Sequence, residues 1–427
     1  MLVTYWRTNM RLLIKNGLVE GQARDILVVD GKIAEIGKKI EDSGANVYDA
    51  KGHLVMPGLV DVHVHFREPG FEYKETIASG TAASARGGFT TVFAMPNLNP
   101  VPDNAEAFKF VTDKNAADSI IKTYQYAAIS GGLTDEHINE IEKLATLGAV
   151  AFTNDGKGVQ TADTMLQAMQ AAKRVGKAIV AHIEDDSLLH GGVMNAGPVA
   201  DKLGLPGMTG LSESSQLARD LVLAQATGVH YHVAHISTKE SVELVRIAKE
   251  HGVHVTAEVS PHHLLLDDSM IDGDNPMMKM NPPLRAPADR QALIAGLLDG
   301  TIDMIATDHA PHSAEEKTGS MLEAAFGITG IETAFELIYT HFVKSGLVDI
   351  QTVTQWMATN PAKAFGIKGG ELKVGTPADI AIFDTENEHT ITADEFVSKG
   401  KNTPFIGEKV YGTTVATFVD GQQVYGE

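Results

Sequence analysis

No cysteine occurs among the 427 residues of this chain. That absence excludes a disulfide framework, thiolate zinc or iron–sulfur ligation and a cysteine nucleophile. Any metal must therefore sit on histidine and carboxylate, and the 17 histidines keep that option open. Basic residues are in the minority: 35 Lys plus Arg against 55 Asp plus Glu give a formal charge of −20. Such a balance argues against nucleic acid or an acidic membrane surface as a dedicated partner. An anionic small molecule stays possible only at a local positive site. The chain also lacks any run of about 18 apolar residues that could span a bilayer. Its start, Met1–Lys15, has no long apolar stretch of the signal-peptide kind, so the cytoplasm is the expected compartment. Met10 competes with Met1 as the true start, because the first strand-like run follows it directly. Neither G-x-G-x-x-G nor G-x-x-x-x-G-K-[ST] is present, which counts against an open, doubly wound nucleotide-binding sheet.

What is present divides into ends and middle. Residues 11–57 carry short alternating runs, two of them joined at Asp30-Gly31, a two-residue hairpin signal. The far end repeats the style, with Ala378–Phe383, Thr414–Val419 and Gln423–Tyr425 and a second Asp-Gly at Asp420-Gly421. Neither end alone has enough strands for a stable sheet. One small β-sandwich-like domain built from residues 1–57 plus 366–427 is expected. Between them, residues 58–365 alternate apolar runs with helical patterns. The runs are Leu59–His65, Thr90–Met95, Lys122–Ile129, Ala149–Thr153, Ala178–His182, Val229–His235, Val253–Glu258 and Ile302–Thr307. Eight strand–helix alternations predict an α/β fold, a (β/α)₈ TIM barrel. Predicted helices include Tyr73–Arg86, Asp135–Thr146 and Thr161–Val175.

A barrel of this kind carries its active site at the carboxyl ends of its strands. Those ends hold His63 and His65, Asn154-Asp155, His182, His235 and Asp308-His309, a convergence that no single residue would make persuasive. His63 and His65 share strand parity, so both reach one cation. His235 has the opposite parity from His230 and His232, which are expected to pack elsewhere or to start the strand. Glu184, Asp185 and Asp186 are read as solvated or helix-capping. Asp308 can be a ligand and proton carrier, or a helix cap. Imidazoles and carboxylates without sulfur suit Zn²⁺, with Mn²⁺ or Co²⁺ as substitutes. The donors are too many for one catalytic zinc, so two ions around a shared carboxylate are expected, with hydrolysis of an unreactive bond as the reaction class.

Asp61-Val-His63-Val-His65-Phe-Arg67-Glu-Pro69-Gly70 resembles the first-strand signature of the amidohydrolase superfamily in its dihydroorotase version. Ala306–His312 resembles the second signature, and Met95-Pro-Asn97, Lys279–Arg285 and Ala325-Phe326-Gly327 agree. The likeness covers essentially the whole chain. It implies a zinc-dependent enzyme interconverting N-carbamoyl-L-aspartate and L-dihydroorotate in pyrimidine synthesis. On that resemblance His63 and His65 bind one zinc and His182 and His235 the other. Asp155 bridges in place of the carboxylated lysine common in the superfamily, with Lys157 a residual competitor. Asp308 also touches the metal site and carries the catalytic proton. Arg67, Asn97 and His312 take the substrate carboxylate, Asn281 reads the ring edge, and Phe326 and Gly327 line the site through backbone. A surface ion pair of Arg67 with Glu68 or Glu72 is the structural alternative. The rival functions are another cyclic-amide hydrolase (dihydropyrimidinase, hydantoinase or allantoinase) and a non-catalytic scaffold of the same fold. A small-molecule substrate and a homo-oligomer, a dimer in the simplest case, are the expected partners.

Overall fold

The computed structural model describes residues 10–426; of the two candidate starts, Met1 lies outside the described residues. Eight strands supply the barrel: β1 (Leu59–Val64), β2 (Phe89–Ala94), β3 (Lys122–Gln125, resuming at Ala127–Ala128), β4 (Phe152–Thr153), β5 (Ile179–Ala181), β6 (Tyr231–Val233), β7 (Val255–Val259) and β8 (Met304–Ile305). Every strand pairs in parallel with the next. Two arcs of sheet meet in the Lys122–Ala128 run. At the seam the His65 amide donates to the His309 carbonyl at 2.9 Å, and Val64 and His309 form a parallel bridge. Asp61 also ties β1 to β8, accepting from the amides of His63 (3.0 Å) and Thr307 (3.1 Å). Burial outweighs those bonds and pushes the Asp61 carboxyl up to about 6.

Helices Ile77–Arg86, Ala105–Asp118, Ile141–Thr146, Ala162–Arg174, Leu211–Thr227, Lys239–Glu250 and Pro287–Leu298 follow β1 to β7 in turn. Their starts are set by side-chain caps where the sequence offers them: Thr76, Asn104, Thr161 and Thr238 each accept from an amide two or three residues on. The Thr76 cap explains why the first helix begins at Ile77 rather than Tyr73. The third is shorter than its pattern suggests. Asn139 instead bonds strand β3's end, its amide to the Ile129 carbonyl at 2.8 Å and its side chain to the Ala128 carbonyl at 3.0 Å. Val60, Val62, Phe93, Tyr126, Val180 and Met304 belong to one buried apolar cluster with Phe365 packed against it.

Strands from both chain ends share a single sheet. Its order is Gln422–Tyr425, Thr413–Val419, Ile380–Asp384, Leu54–Pro57, Arg11–Val19, Gln22–Val29 and Lys32–Gly37, with Asn46–Asp49 also on Arg11–Val19. The two ends join where Ile380–Asp384 runs antiparallel to Leu54–Pro57. Both Asp-Gly pairs turn hairpins with positive φ, 48° and 79° at Asp30-Gly31 and 47° and 73° at Asp420-Gly421. On this pairing we propose domain boundaries at 57/58 and 365/366. Among the described residues no helix is long and apolar enough to cross a membrane.

Glu336 lies buried in the helix Ala334–Ile338 that follows β8. Burial, aided by Glu395 and Glu332 and opposed by Arg86, pushes its carboxyl up to about 8. A folded-state value above the ordinary one means native Glu336 holds its proton while the unfolded chain has lost it. Its contribution is complete at acidic pH and is lost as pH rises through about 8. Glu336→Gln should therefore raise the melting temperature by about 1–3 °C at pH 9 and leave it unchanged at pH 5, read by calorimetry.

Candidate active site

The strand ends bring the expected residues to one mouth. His63 lies within β1 and His65 directly after it; Asn97 follows β2, Asp155 follows β4, His182 follows β5 and Asp308 follows β8. His235 sits two residues beyond β6, with φ 32°. Arg67 (φ 62°) and Asp308 (φ 49°) share this left-handed backbone, which costs a non-glycine residue on the order of 1 kcal/mol. The alternation argument for His230–His235 fails here, because a left-handed residue past the strand end no longer follows the pleat. His232, rather than packing away from the site, bonds a buried carboxylate that also holds His63.

Asp155 stands at the centre. Its carboxylate oxygens lie 3.3 Å from His63 Nε2, 3.5 Å from His65 Nε2, 3.6 Å from His235 Nε2 and 3.8 Å from His182 Nδ1. Two donor groups result, His63–His65–Asp155 and Asp155–His182–His235, both fully buried and sharing Asp155. Ligands about 2.0–2.1 Å from a tetrahedral ion stand roughly 3.3–3.5 Å apart, so these spacings fit cation sites. Two of these donors, His63 Nε2 and Asp155 Oδ1, are buried without a hydrogen bond. His182 Nδ1 and His235 Nε2 face each other at 2.8 Å. Burial alone would raise the Asp155 carboxyl, but the surrounding imidazoles hold it well below the usual carboxylate range. Asn154 turns away, accepting from the Ile129 (2.9 Å) and Ser130 (3.2 Å) amides, and Lys157 is exposed in the following loop.

Partners behind the imidazoles fix their tautomers. His63 Nδ1 lies 2.6 Å from Glu258 Oε1, which places the proton on Nδ1 and leaves Nε2 bare toward Asp155. Asn97 Oδ1 does the same for His65 Nδ1 at 2.9 Å. Glu258 also accepts from His232 Nε2 (2.9 Å) and the His235 amide (3.2 Å). Burial opposes its charge, yet His63 and His232 hold it down at about 2. Thr256 Oγ1 continues this line, 2.7 Å from His232 Nδ1 and 2.8 Å from His230 Nε2. The sequence reading ends its seventh strand at Glu258 without assigning it a role, although the strand-end rule already points there. Glu184 corrects the reading of its acidic run: Asp185 caps a turn, but Glu184 is buried, 3.7 Å from His182 Nε2 and accepting from Asn281 Nδ2 at 2.7 Å. Burial notwithstanding, His182 holds Glu184 at about 2.

Above the cluster opens a cavity of about 190 Å³ that Arg67, Asn97, Asn281, His312, Phe326 and Gly327 help to line. Arg67 is buried and makes no ion pair with Glu68 or Glu72; Glu68 pairs with Lys114 at 2.7 Å and Glu72 accepts from the Gly70 amide at 3.0 Å. Arg67 donates to the Pro311 carbonyl (3.2 Å), and its guanidinium lies 3.3 Å from His312 Nε2. Burial, then Arg67 and Lys74, depress His312 to about 3, so the ring is neutral and its Nε2 lies 2.8 Å from the Phe326 carbonyl. Asn281 Oδ1 is buried without a partner. Gly327 lines the wall differently from expectation: its amide donates to Lys279 (3.1 Å) and its carbonyl accepts from Asn402 (3.0 Å). What it supplies is space, since a Cβ there would meet Ala310 at 2.7 Å.

Barrel and cluster together define an enzyme of the amidohydrolase superfamily, with histidine and aspartate groups able to hold metal. A family model described as Dihydro-orotase-like matches residues 52–241. A dihydroorotase of Ligilactobacillus salivarius (strain UCC118) is 59% identical over 424 residues, 97% of this chain and 99% of its own. One from Enterococcus faecalis (strain ATCC 700802 / V583) is 55% identical, covering 98% and 99%. Among solved structures, the L-hydantoinase (dihydropyrimidinase) from Arthrobacter aurescens matches with a TM-score of 0.87 at 27% identity, covering 98% of this chain and 97% of that one. The chain belongs to the dihydroorotase family.

Glu258→Gln should weaken metal retention about tenfold or more, because an amide cannot accept from both imidazoles. Metal content after dialysis against a graded chelator reads the effect; retention equal to the parent's would remove Glu258 as the group that orients His63.

Proposed function

We propose that this chain interconverts N-carbamoyl-L-aspartate and L-dihydroorotate, the dihydroorotase reaction of pyrimidine synthesis, with two zinc ions per chain. One observation carries the choice among cyclic-amide hydrolases. A buried guanidinium without a carboxylate partner, Arg67, stands in the same small cavity as the imidazole–carboxylate cluster. Hydantoin and dihydropyrimidine rings bring no carboxylate to such a receptor; dihydroorotate does. The curated relatives support the same choice, whereas the fold alone is shared with a hydantoinase.

His63, His65, Asp155, His182 and His235 would hold the ions, whose chemistry there is to polarise the scissile carbonyl and to lower the pKa of water. Arg67 grips the substrate carboxylate through its forked donors, with Asn97 and neutral His312 beside it. Asn281, its amide nitrogen committed to Glu184, turns Oδ1 toward a substrate N–H. Asp308 Oδ1 lies 3.1 Å from His65 Nε2 and 3.4 Å from His63 Nε2. Burial opposes its charge, but the imidazoles of His63 and His65 beside it hold its carboxyl below the usual carboxylate range. It takes the proton of the attacking water and passes it to the ring nitrogen as the amide opens. Ring closure reverses the path: Asp308 receives the proton that the carbamoyl nitrogen sheds as it attacks the side-chain carboxyl carbon.

Asp308→Ala should lower kcat in both directions by about 10³-fold while metal content and melting temperature stay close to the parent's. Near-parental turnover would take Asp308 out of the proton path. Arg67→Met should raise KM for dihydroorotate about 30- to 300-fold. A substrate panel tests the reading as a whole: turnover of dihydroorotate but not of hydantoin or allantoin is expected, and the reverse pattern would overturn it.

A further inference from the structure

The other end of the barrel holds a second cavity, of about 430 Å³, at the amino-terminal ends of β4 to β7. Its walls include Lys173, Lys177, Lys363, His230, His254 and Phe365, and no carboxylate among the described residues lines it. In a chain carrying −20 formal charge, three lysines around a hollow free of acids are a local reversal of sign. Lys173 Nζ donates to the Gly228 carbonyl. Lys177 and Lys363 have no ion-pair or side-chain hydrogen-bond partner among the described residues. Lys177 is half-buried, and that burial, with no acid to offset it, draws its ammonium below the ordinary lysine value. The helix ends at Arg174 and Ala364 account for Lys173 and Lys363 one at a time, since cations suit helix carboxyl termini. They do not account for Lys177, which lies outside any helix, or for the convergence of all three on one concavity.

Beside small and aliphatic residues (Val150, Ala178 and Ala364 among them), the rest of the wall offers three rings. His230 and His254 stack at 4.4 Å with 17° between their planes, and Phe365 lies 5.8 Å from His230. The volume falls in the range of about 300–1,000 Å³ usual for sites of small organic ligands. It exceeds the 190 Å³ of the catalytic cavity. Inorganic phosphate alone would leave much of it empty.

We propose that this cavity binds a phosphate-bearing anion of nucleotide size, its phosphates on Lys173, Lys177 and Lys363 and its ring against Phe365 and the His230–His254 pair. Lysine ammonium groups serve phosphate as point charges, and ring faces accept planar groups without demanding one particular base. The site is separate from the catalytic one, so its occupancy does not depend on which cyclic amide the enzyme opens.

Calorimetric titration of the full chain with adenosine diphosphate, without magnesium and at low salt, tests this directly. Saturable binding with Kd below about 1 mM is expected, weakening as salt rises. Lys177→Ala/Lys363→Ala should weaken it about tenfold or more, with melting temperature and dihydroorotate turnover unchanged. Lys177→Gln alone, which keeps the stem, should weaken it by a smaller factor. Arg67→Met should leave it intact. The proposal is overturned by the absence of saturable binding up to about 5 mM, or by equal affinity in the double-lysine variant. It is likewise overturned if adenosine binds as tightly, or if binding is lost in Arg67→Met, which would place the anion in the catalytic cavity.

Discussion

Burying four imidazoles and two carboxylates in one hollow is unfavourable unless each polar atom finds a partner. Around Asp155 the partners are incomplete: its own Oδ1 and His63 Nε2 face each other without a hydrogen bond. A cation held there would give both atoms a partner, and the rest of the mouth is arranged around those donors. Glu258 and Asn97 occupy the far nitrogens of His63 and His65, so both present a bare lone pair. Left-handed backbone at His235 and Asp308 turns those side chains toward the same point. The strain is stored where the chemistry requires a geometry that regular strands cannot supply.

Glu258 carries this constraint deeper into the barrel. Its two oxygens join His63 at the catalytic mouth to His232 below, and Thr256 extends the bonding to His230 near the opposite face. A charged group with no access to water is thereby satisfied by three donors, counting the His235 amide. Glu258 is 1% exposed, so these bonds form at low dielectric.

Much of this was legible in the residues because barrel strands are short apolar runs and their last residues are chemistry-bearing. His63, His65, Asp155, His182, His235 and Asp308 all follow from asking what ends each run. The resemblance added Arg67, Asn97, Asn281, His312, Phe326 and Gly327, and one cavity gathers them. Features set by tertiary contact were harder to read. Parity misjudged His232, because a positive φ at His235 breaks the period that parity assumes. Glu184 looked like one of three solvated acids; only the fold shows Asn281 reaching it across 97 positions of sequence. The third helix lost its predicted first turns to Asn139, whose bonds to β3 outcompete helix formation locally.

Charge requires the same change of scale. A net −20 describes the whole chain, yet the catalytic hollow keeps Arg67 beside Asp155 and Asp308, and the hollow at the opposite end gathers three lysines with no carboxylate among its described lining. At about 0.1 M salt the Debye length is about 10 Å, so outer-surface charges are largely screened and each hollow responds mainly to its own lining. Arg67 is buried with only neutral acceptors bonded to it, and Lys177 is half-buried with none. An isolated cation drawn out of water is tolerated where a ligand's anion completes the pair. On that reasoning the absence of a directly paired carboxylate is as informative as the lysine or arginine itself, and it distinguishes a receptor from an ion pair that merely holds the fold.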